Sequence, residues 1–328
     1  MKWNNYKNKQ EYKMKNNFLI LAATASILAA CSNNDVPQAD NLKDTPITVT
    51  AGVAELSTRA GYEGTSVLPE TFYLSITQDT EDATSKYNYT NLLMTKGADN
   101  TYTAPASANL LWKDSNRDVE VNAYTTNATT FTVQTDQSTT DGVLASDLLG
   151  AVRAAENSDI SISGNNISIN FRHLLCKLDV TFSWGTELAT AADKAITSVM
   201  YQGFGTDVTL DREACAVTNG TTTADITAYV TTADEGVTYL SEAIFAPQMA
   251  ETPKIVVTTT IDGVDRVFSI GVTAPDGDFT FGNRYTMNVI IGGTSVENGS
   301  VTATLANGWE AADANGEADG TTGNMTTN

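Results

Sequence analysis

The sequence predicts an all-β protein built as two tandem Greek-key β-sandwich domains. Three observations predict it. Apolar residues recur with a period of two rather than 3.6 wherever a pattern is readable. Thr, Ser, Asn and Asp dominate the polar remainder and charged residues are only 18%, a composition that favours strands and turns. The 328 residues, 41% of them hydrophobic, exceed what one small domain needs and suffice for two cores.

Residues 1–30 read as an address. Residues 1–13 are polar and Lys-rich, and Met14 is the more natural start. Lys15-Asn16-Asn17 then leads into FLILAATASILAA. This run is shorter than the roughly 20 apolar residues that span a bilayer, so it reads as a signal peptide. It ends Leu28-Ala29-Ala30-Cys31, which resembles the bacterial lipoprotein box. An acylated Cys31 gains ~0.8 kcal/mol per buried CH₂, enough with several chains for stable anchoring. Residues 31–45 follow as a lipidated start and polar tether.

The first sandwich is expected over residues 46–171. Ile47, Val49, Ala51 and Val53 alternate with Thr48, Thr50 and Gly52, which predicts a strand with one buried face. It runs into Ser57-Thr58-Arg59-Ala60-Gly61, where Arg59 is the only basic residue between Lys43 and Lys86. Phe72, Leu74 and Ile76 form a second alternating set, and Val119, Val121 and Ala123 a third. Ile160 and Ile162, a Gly-Asn-Asn turn, then Ile167, Ile169 and Phe171 predict a hairpin. TDGVLASDLLGAVRAAE has weak helical spacing and is read as a loop with one helical turn.

In FRHLLCKLDVTFSW the apolar set is Leu174, Cys176, Leu178, Val180 and Phe182, with Lys177, Asp179 and Thr181 on the other face. That parity is opposite to Ile167, Ile169 and Phe171. The flip demands a bulge, a bend or a crossing between sheets, and it places a domain boundary near residue 172. The second sandwich is expected over 172–310. Its clearest hairpin turns at Asp262-Gly263, and RYTMNVIIGG and GSVTATLANGW close the series. Residues 311–328 lack alternation and are read as a disordered tail.

Charge and motifs exclude most chemistry. From Cys31 onward the chain has 14 basic and 38 acidic residues. Such a chain repels phosphate backbones, so nucleic acid is not a partner. A Ser-His-Asp site would have to use His173, the only histidine. Three residues from Cys176, His173 lies on the opposite strand face, and it reads as structural. Cys176 and Cys215 both sit in apolar surroundings and are read as paired or simply buried, with unpaired slightly favoured. Asp114-Ser115-Asn116-Arg117-Asp118 mimics a calcium loop but lacks the required Gly and the twelfth-position Glu, so Asx-turns explain it better. No cofactor, metal site or enzyme is indicated.

The lipobox Cys31, ITVTAGVAELSTRAGY, INFRHLLCKLDVTF, AIFAPQ, FGNRYTMNVII and Trp309 occur in that order. Together they resemble the fimbrillin family of the Bacteroidales, the subunits of type V pili. The likeness covers most of residues 45–310. It implies two transthyretin-like sandwiches, export as an outer-membrane lipoprotein and a cell-surface fimbrium. It also implies cleavage between Arg59 and Ala60 by an Arg-specific protease. The strand carrying Ile47, Val49, Ala51 and Val53 is then displaced, and a strand from another fimbrial subunit fills the groove. One departure stands out: nothing apolar larger than Ala follows Trp309 until Met325. The tail is a poor donor, which fits a tip or minor subunit or one that forms no fibre. A second reading stays open, a surface lipoprotein that binds glycan or host ligand without polymerising, with Tyr87 and Tyr89 as stacking surfaces.

Overall fold

Period-two alternation becomes strand after strand in the computed structural model. It describes residues 41–54, 61–62, 66–116, 118–153, 159–191, 193–234, 238–274, 278–292, 296–297, 301–304 and 322–323. Cys31, Arg59, Ala60 and Trp309 lie outside the described residues.

The first sheet system contains β1 (Thr48–Val53), β2 (Thr71–Thr77), β3 (Tyr89–Lys96), β4 (Thr101–Thr103) and β5 (Glu120–Tyr124). After β6 (Thr130–Thr132) and helix α1 (Thr140–Ser146) come β7 (Leu149–Val152), β8 (Ile160–Ser163) and β9 (Asn166–His173). The strand order is β1-β4-β3-β2-β5-β7-β9-β8, and β1 pairs with β9 as well, which closes the sheet into a barrel. β1 thereby covers the edges that β4 and β9 would otherwise present, while β8 pairs with β9 alone. Ile47, Val49, Phe72, Leu74, Ile76, Trp112, Ile167, Ile169 and Phe171 fill the interior.

The chain crosses to a second system where the parity flips. β9 ends at His173 and β10 (Cys176–Trp184) starts after Leu174 and Leu175, both buried. A 3₁₀ turn leads to β11 (Lys194–Gly205), β12 (Asp207–Asp211), β13 (Ala216–Asn219), β14 (Thr223–Thr227) and β15 (Tyr229–Asp234). Then come β16 (Thr238–Ile261), β17 (Val264–Gly271), β18 (Arg284–Ile291), β19 (Val296–Glu297), β20 (Val301–Thr304) and β21 (Thr322–Gly323). β16 is 24 residues long. Its first part pairs with β10 and β15, and its last part with β11 and β17. One strand thus serves two stretches of sheet, and the system curls into a half-barrel. At the β16–β17 reversal Asp262 and Gly263 both have positive φ, 50° and 75°, the backbone a type I′ turn needs.

Five features differ from the expectations. α1 is a two-turn helix with the Thr139 side chain accepting from the Gly142 N–H at 3.2 Å. The residues after it form β7, whose four residues are all buried, so no alternation announces a strand. Residues 130–146 precede position 172 yet pack on the second system: β6 pairs with β12, and α1 contacts β16. Gln137, fully buried, donates to the Ile244 carbonyl at 2.7 Å and accepts from the Ile244 N–H at 2.8 Å. Its side-chain amide replaces a neighbouring strand at that point of β16. Thr322 and Gly323, expected within a disordered tail, pair with β20; an open edge accepts any extended backbone, whatever its side chains.

The polar face of β10 is the fifth. Lys177 and Asp179 are buried, not solvated. Lys177 Nζ lies 2.6 Å from Glu242 Oε2 on β16, and Asp179 Oδ2 accepts from Arg284 Nε on β18 at 2.6 Å. Three neighbouring strands therefore share a buried ionic row, in register at Asp179↔Glu242 and Lys177↔Arg284.

Candidate functional site: the closing strand of the barrel

The candidate site is β1 and the chain on either side of it. Ile47, Val49, Ala51 and Val53 all point into the barrel, with exposures of 7%, 2%, 5% and 2%. Thr48, Thr50 and Gly52 take the other face, so the alternation in the sequence becomes one apolar and one polar side.

The two neighbours hold β1 unequally. β9 lies parallel to it over six residue pairs, from Thr48↔Asn166 to Val53↔Phe171. β4 lies antiparallel and meets it only at Val49↔Tyr102 and Thr50↔Thr101. Before the strand, Ile47 N donates to Leu110 O at 2.9 Å and Asp44 N to Trp112 O at 2.9 Å. Asn165 and Asn166, at the β8–β9 turn, reach across the seam. Asn165 Nδ2 donates to Pro46 O at 3.1 Å, and Asn166 Nδ2 to Thr50 Oγ1 at 3.1 Å.

β1 fills a large share of the core. Burying Ile47, Val49 and Val53 is worth about 1.5–3 kcal/mol each. Their sum is comparable with the whole net stability of a typical domain, about 5–15 kcal/mol. Loss of β1 without replacement leaves the β9 edge and the inner face open together.

Both ends of residues 55–60 are tied near the end of β9. Ala54 N donates to Phe171 O at 2.8 Å. Tyr62 N donates to Asp147 Oδ2 at 3.2 Å, and Asp147 Oδ1 is 2.7 Å from His173 Nδ1. Asp147 and His173 side chains are 0% and 1% exposed. Burial first, then the charges of Asp147 and Glu70, push the Tyr62 phenol up to about 12. No local pattern announces this cluster, because its members come from three separated stretches.

Other sequence-derived candidates resolve as structure. His173 sits at the end of β9 as a buried partner of Asp147. Cys176 and Cys215 are free thiols, both buried, and burial raises the pKa of each. Asn116 N donates to Asp114 Oδ1 at 2.6 Å and Asp118 N to Asn116 Oδ1 at 2.9 Å, a pair of Asx-turns. Tyr87 and Tyr89 differ in exposure, Tyr87 being buried and Tyr89 half-buried. Tyr87 is buried and its hydroxyl donates to Asp44 at 2.9 Å. The Tyr89 hydroxyl donates to Asn109 O and accepts from Leu111 N, each at 2.8 Å. Tyr87 braces the chain that enters β1, and Tyr89 braces residues 109–111, which that chain bonds through Leu110 O.

The model of the fimbrillin-like family matches residues 58–307. No curated protein matches the chain. Among solved structures, one described as a cell adhesion protein from Bacteroides uniformis superposes with a TM-score of 0.52 at 20% identity, covering 81% of this chain and 99% of that one. Another, described likewise and from Bacteroides ovatus, gives 0.56 at 14% identity, with 82% and 99% covered. These two likenesses establish a shared fold. With a family model matched over most of its length, the chain belongs to the fimbrillin-like family.

Proposed function

We propose that this protein is the precursor of a fimbrial subunit in which β1 is a temporary strand. Its family makes it a structural, non-enzymatic protein of the cell surface, of the fimbrial and adhesive kind. The finer steps are our reading. The chain is exported and acylated at Cys31, which anchors it in the outer membrane. An Arg-specific protease cuts between Arg59 and Ala60. β1 then leaves, and a strand from another fimbrial subunit enters between β4 and β9. The two sheet systems correspond in this reading to two transthyretin-like Greek-key sandwiches.

One observation carries the proposal. β1 alone closes the barrel, and the isolated Arg59 follows it by only a few residues, so a single cut separates the closing strand from the rest. Small neighbours, Ser57, Thr58, Ala60 and Gly61, suit entry of the segment into a protease cleft. The apolar positions 47, 49, 51 and 53 define what a donor strand must present. A tail poor in apolar residues suits a subunit at a fibre end. The burial of Tyr87 leaves Tyr89 as the more accessible ring of the pair for the alternative glycan-binding reading.

The test is Arg59→Ala expressed in the native host. SDS-resistant ladders containing this subunit are expected from the wild type and absent from the variant. Ladders of equal length from both would defeat the proposal.

A further inference from the structure

Cutting after Arg59 would create two chain ends, and the described residues nearest each are held differently. On the upstream side the chain up to Val53 is held by strand pairing. The downstream end reaches Gly61 and Tyr62, where the chain meets a different kind of holder. Asp147 caps the C-terminus of α1, with its own N–H donating to Leu144 O at 3.2 Å. Its carboxylate is turned inward and receives the Tyr62 N–H on one oxygen and faces the His173 ring on the other.

His173 is fixed in turn. It pairs in register with Leu149 across β7 and β9, at the last residue before the chain crosses to β10. The Leu174 N–H donates to Leu148 O at 2.9 Å, which locks the same corner. Tyr62 also packs its ring against the barrel core. A backbone N–H held by a buried side-chain oxygen is kept from exchanging its partner for water.

We infer that Asp147 and His173 form a buried clamp on Tyr62 that sets the downstream limit of the segment freed by processing. This rests on the reading that Arg59 is cut. In the clamp, His173 positions the Asp147 carboxylate and the carboxylate holds the backbone of Tyr62. The new end is thereby kept on the body at the third residue beyond the cut. The vacated groove then stops at Phe171, opposite Val53, and matches a donor of about β1's length. Without the clamp, residues beyond Ala60 would peel away and lengthen the opening towards β2.

The test is amide hydrogen exchange on the full chain, before and after limited digestion with an Arg-specific protease. In the wild type, the Tyr62 amide stays protected in both states. In Asp147→Ala, Tyr62 protection falls about tenfold or more, the order expected for one lost hydrogen bond. Protection of the β2 amides at Leu74 and Ile76 is unchanged. Asp147→Asn keeps an acceptor oxygen and restores most of the protection. An aminopeptidase added after digestion trims the wild type no further than Tyr62 and runs past it in Asp147→Ala. Equal Tyr62 protection in wild type and Asp147→Ala would overturn the clamp. So would a loss spread evenly over β2, which would mean general destabilisation. If the protease leaves Arg59 intact, the processing reading fails, while the uncut chain still reports on the clamp.

Discussion

Single side chains decide how polar groups survive inside this molecule. Lys177 and Glu242 are both buried and 2.6 Å apart. Glu242→Ala leaves the ammonium buried without that partner, and about 3–5 kcal/mol of stability should be lost in urea denaturation. Replacing both together, Lys177→Met with Glu242→Leu, should recover most of that loss, because two desolvation costs vanish with the pair. Tyr62 makes the stability depend on pH. Its folded phenol is raised to about 12, chiefly by burial, above the ordinary 10. The folded state therefore holds the proton more tightly than the unfolded one. The resulting stability is complete below pH 10 and is lost as pH rises through 12. Denaturation midpoints between pH 10 and 12 should fall more steeply for wild type than for Tyr62→Phe; equal slopes would contradict this. None of these residues was legible beforehand as a partner of another. Lys177 and Asp179 look like a solvated strand face, because alternation reports which residues share a face and not what covers it. Asp147 and His173 are 26 residues apart, and nothing local links them.

At the scale of elements, legibility followed burial. β1, β2 and β9 each bury one face, so a period of two is written into them. β7 buries all four residues and carries no period, and α1 is too short for its spacing to stand out. The closing position of β1 was invisible in composition or period, since pairing partners are set by the whole barrel. Its apolar face makes a direct prediction. After cleavage at Arg59, excess labelled peptide of sequence Thr45–Ala54 should exchange into the groove and survive gel filtration. The same peptide with Val49→Asp and Val53→Asp should not bind, because each carboxylate would enter an apolar interior. Equal retention of both peptides would show that the groove does not select by alternation.

At the scale of the molecule, residues 124–148 join the two sheet systems. β6 pairs with β12, the Gln137 amide holds Ile244, and the Tyr124 hydroxyl donates to Arg212 O at 2.6 Å. Arg212 in turn donates to Thr126 O at 2.6 Å and lies over the Tyr124 ring. These ties argue for one cooperative unit. Trp112 lies in the barrel core and Trp184 packs against the second core, so single-Trp variants report on each. Their denaturation midpoints should coincide; midpoints well separated would mean two independent domains. The most direct measurement of the central claim is the N-terminal sequence and intact mass of the protein taken from the cell surface. The account predicts a chain beginning at Ala60, without lipid. Acylated Cys31 at the start of every molecule would contradict it, since β1 would then still close the barrel.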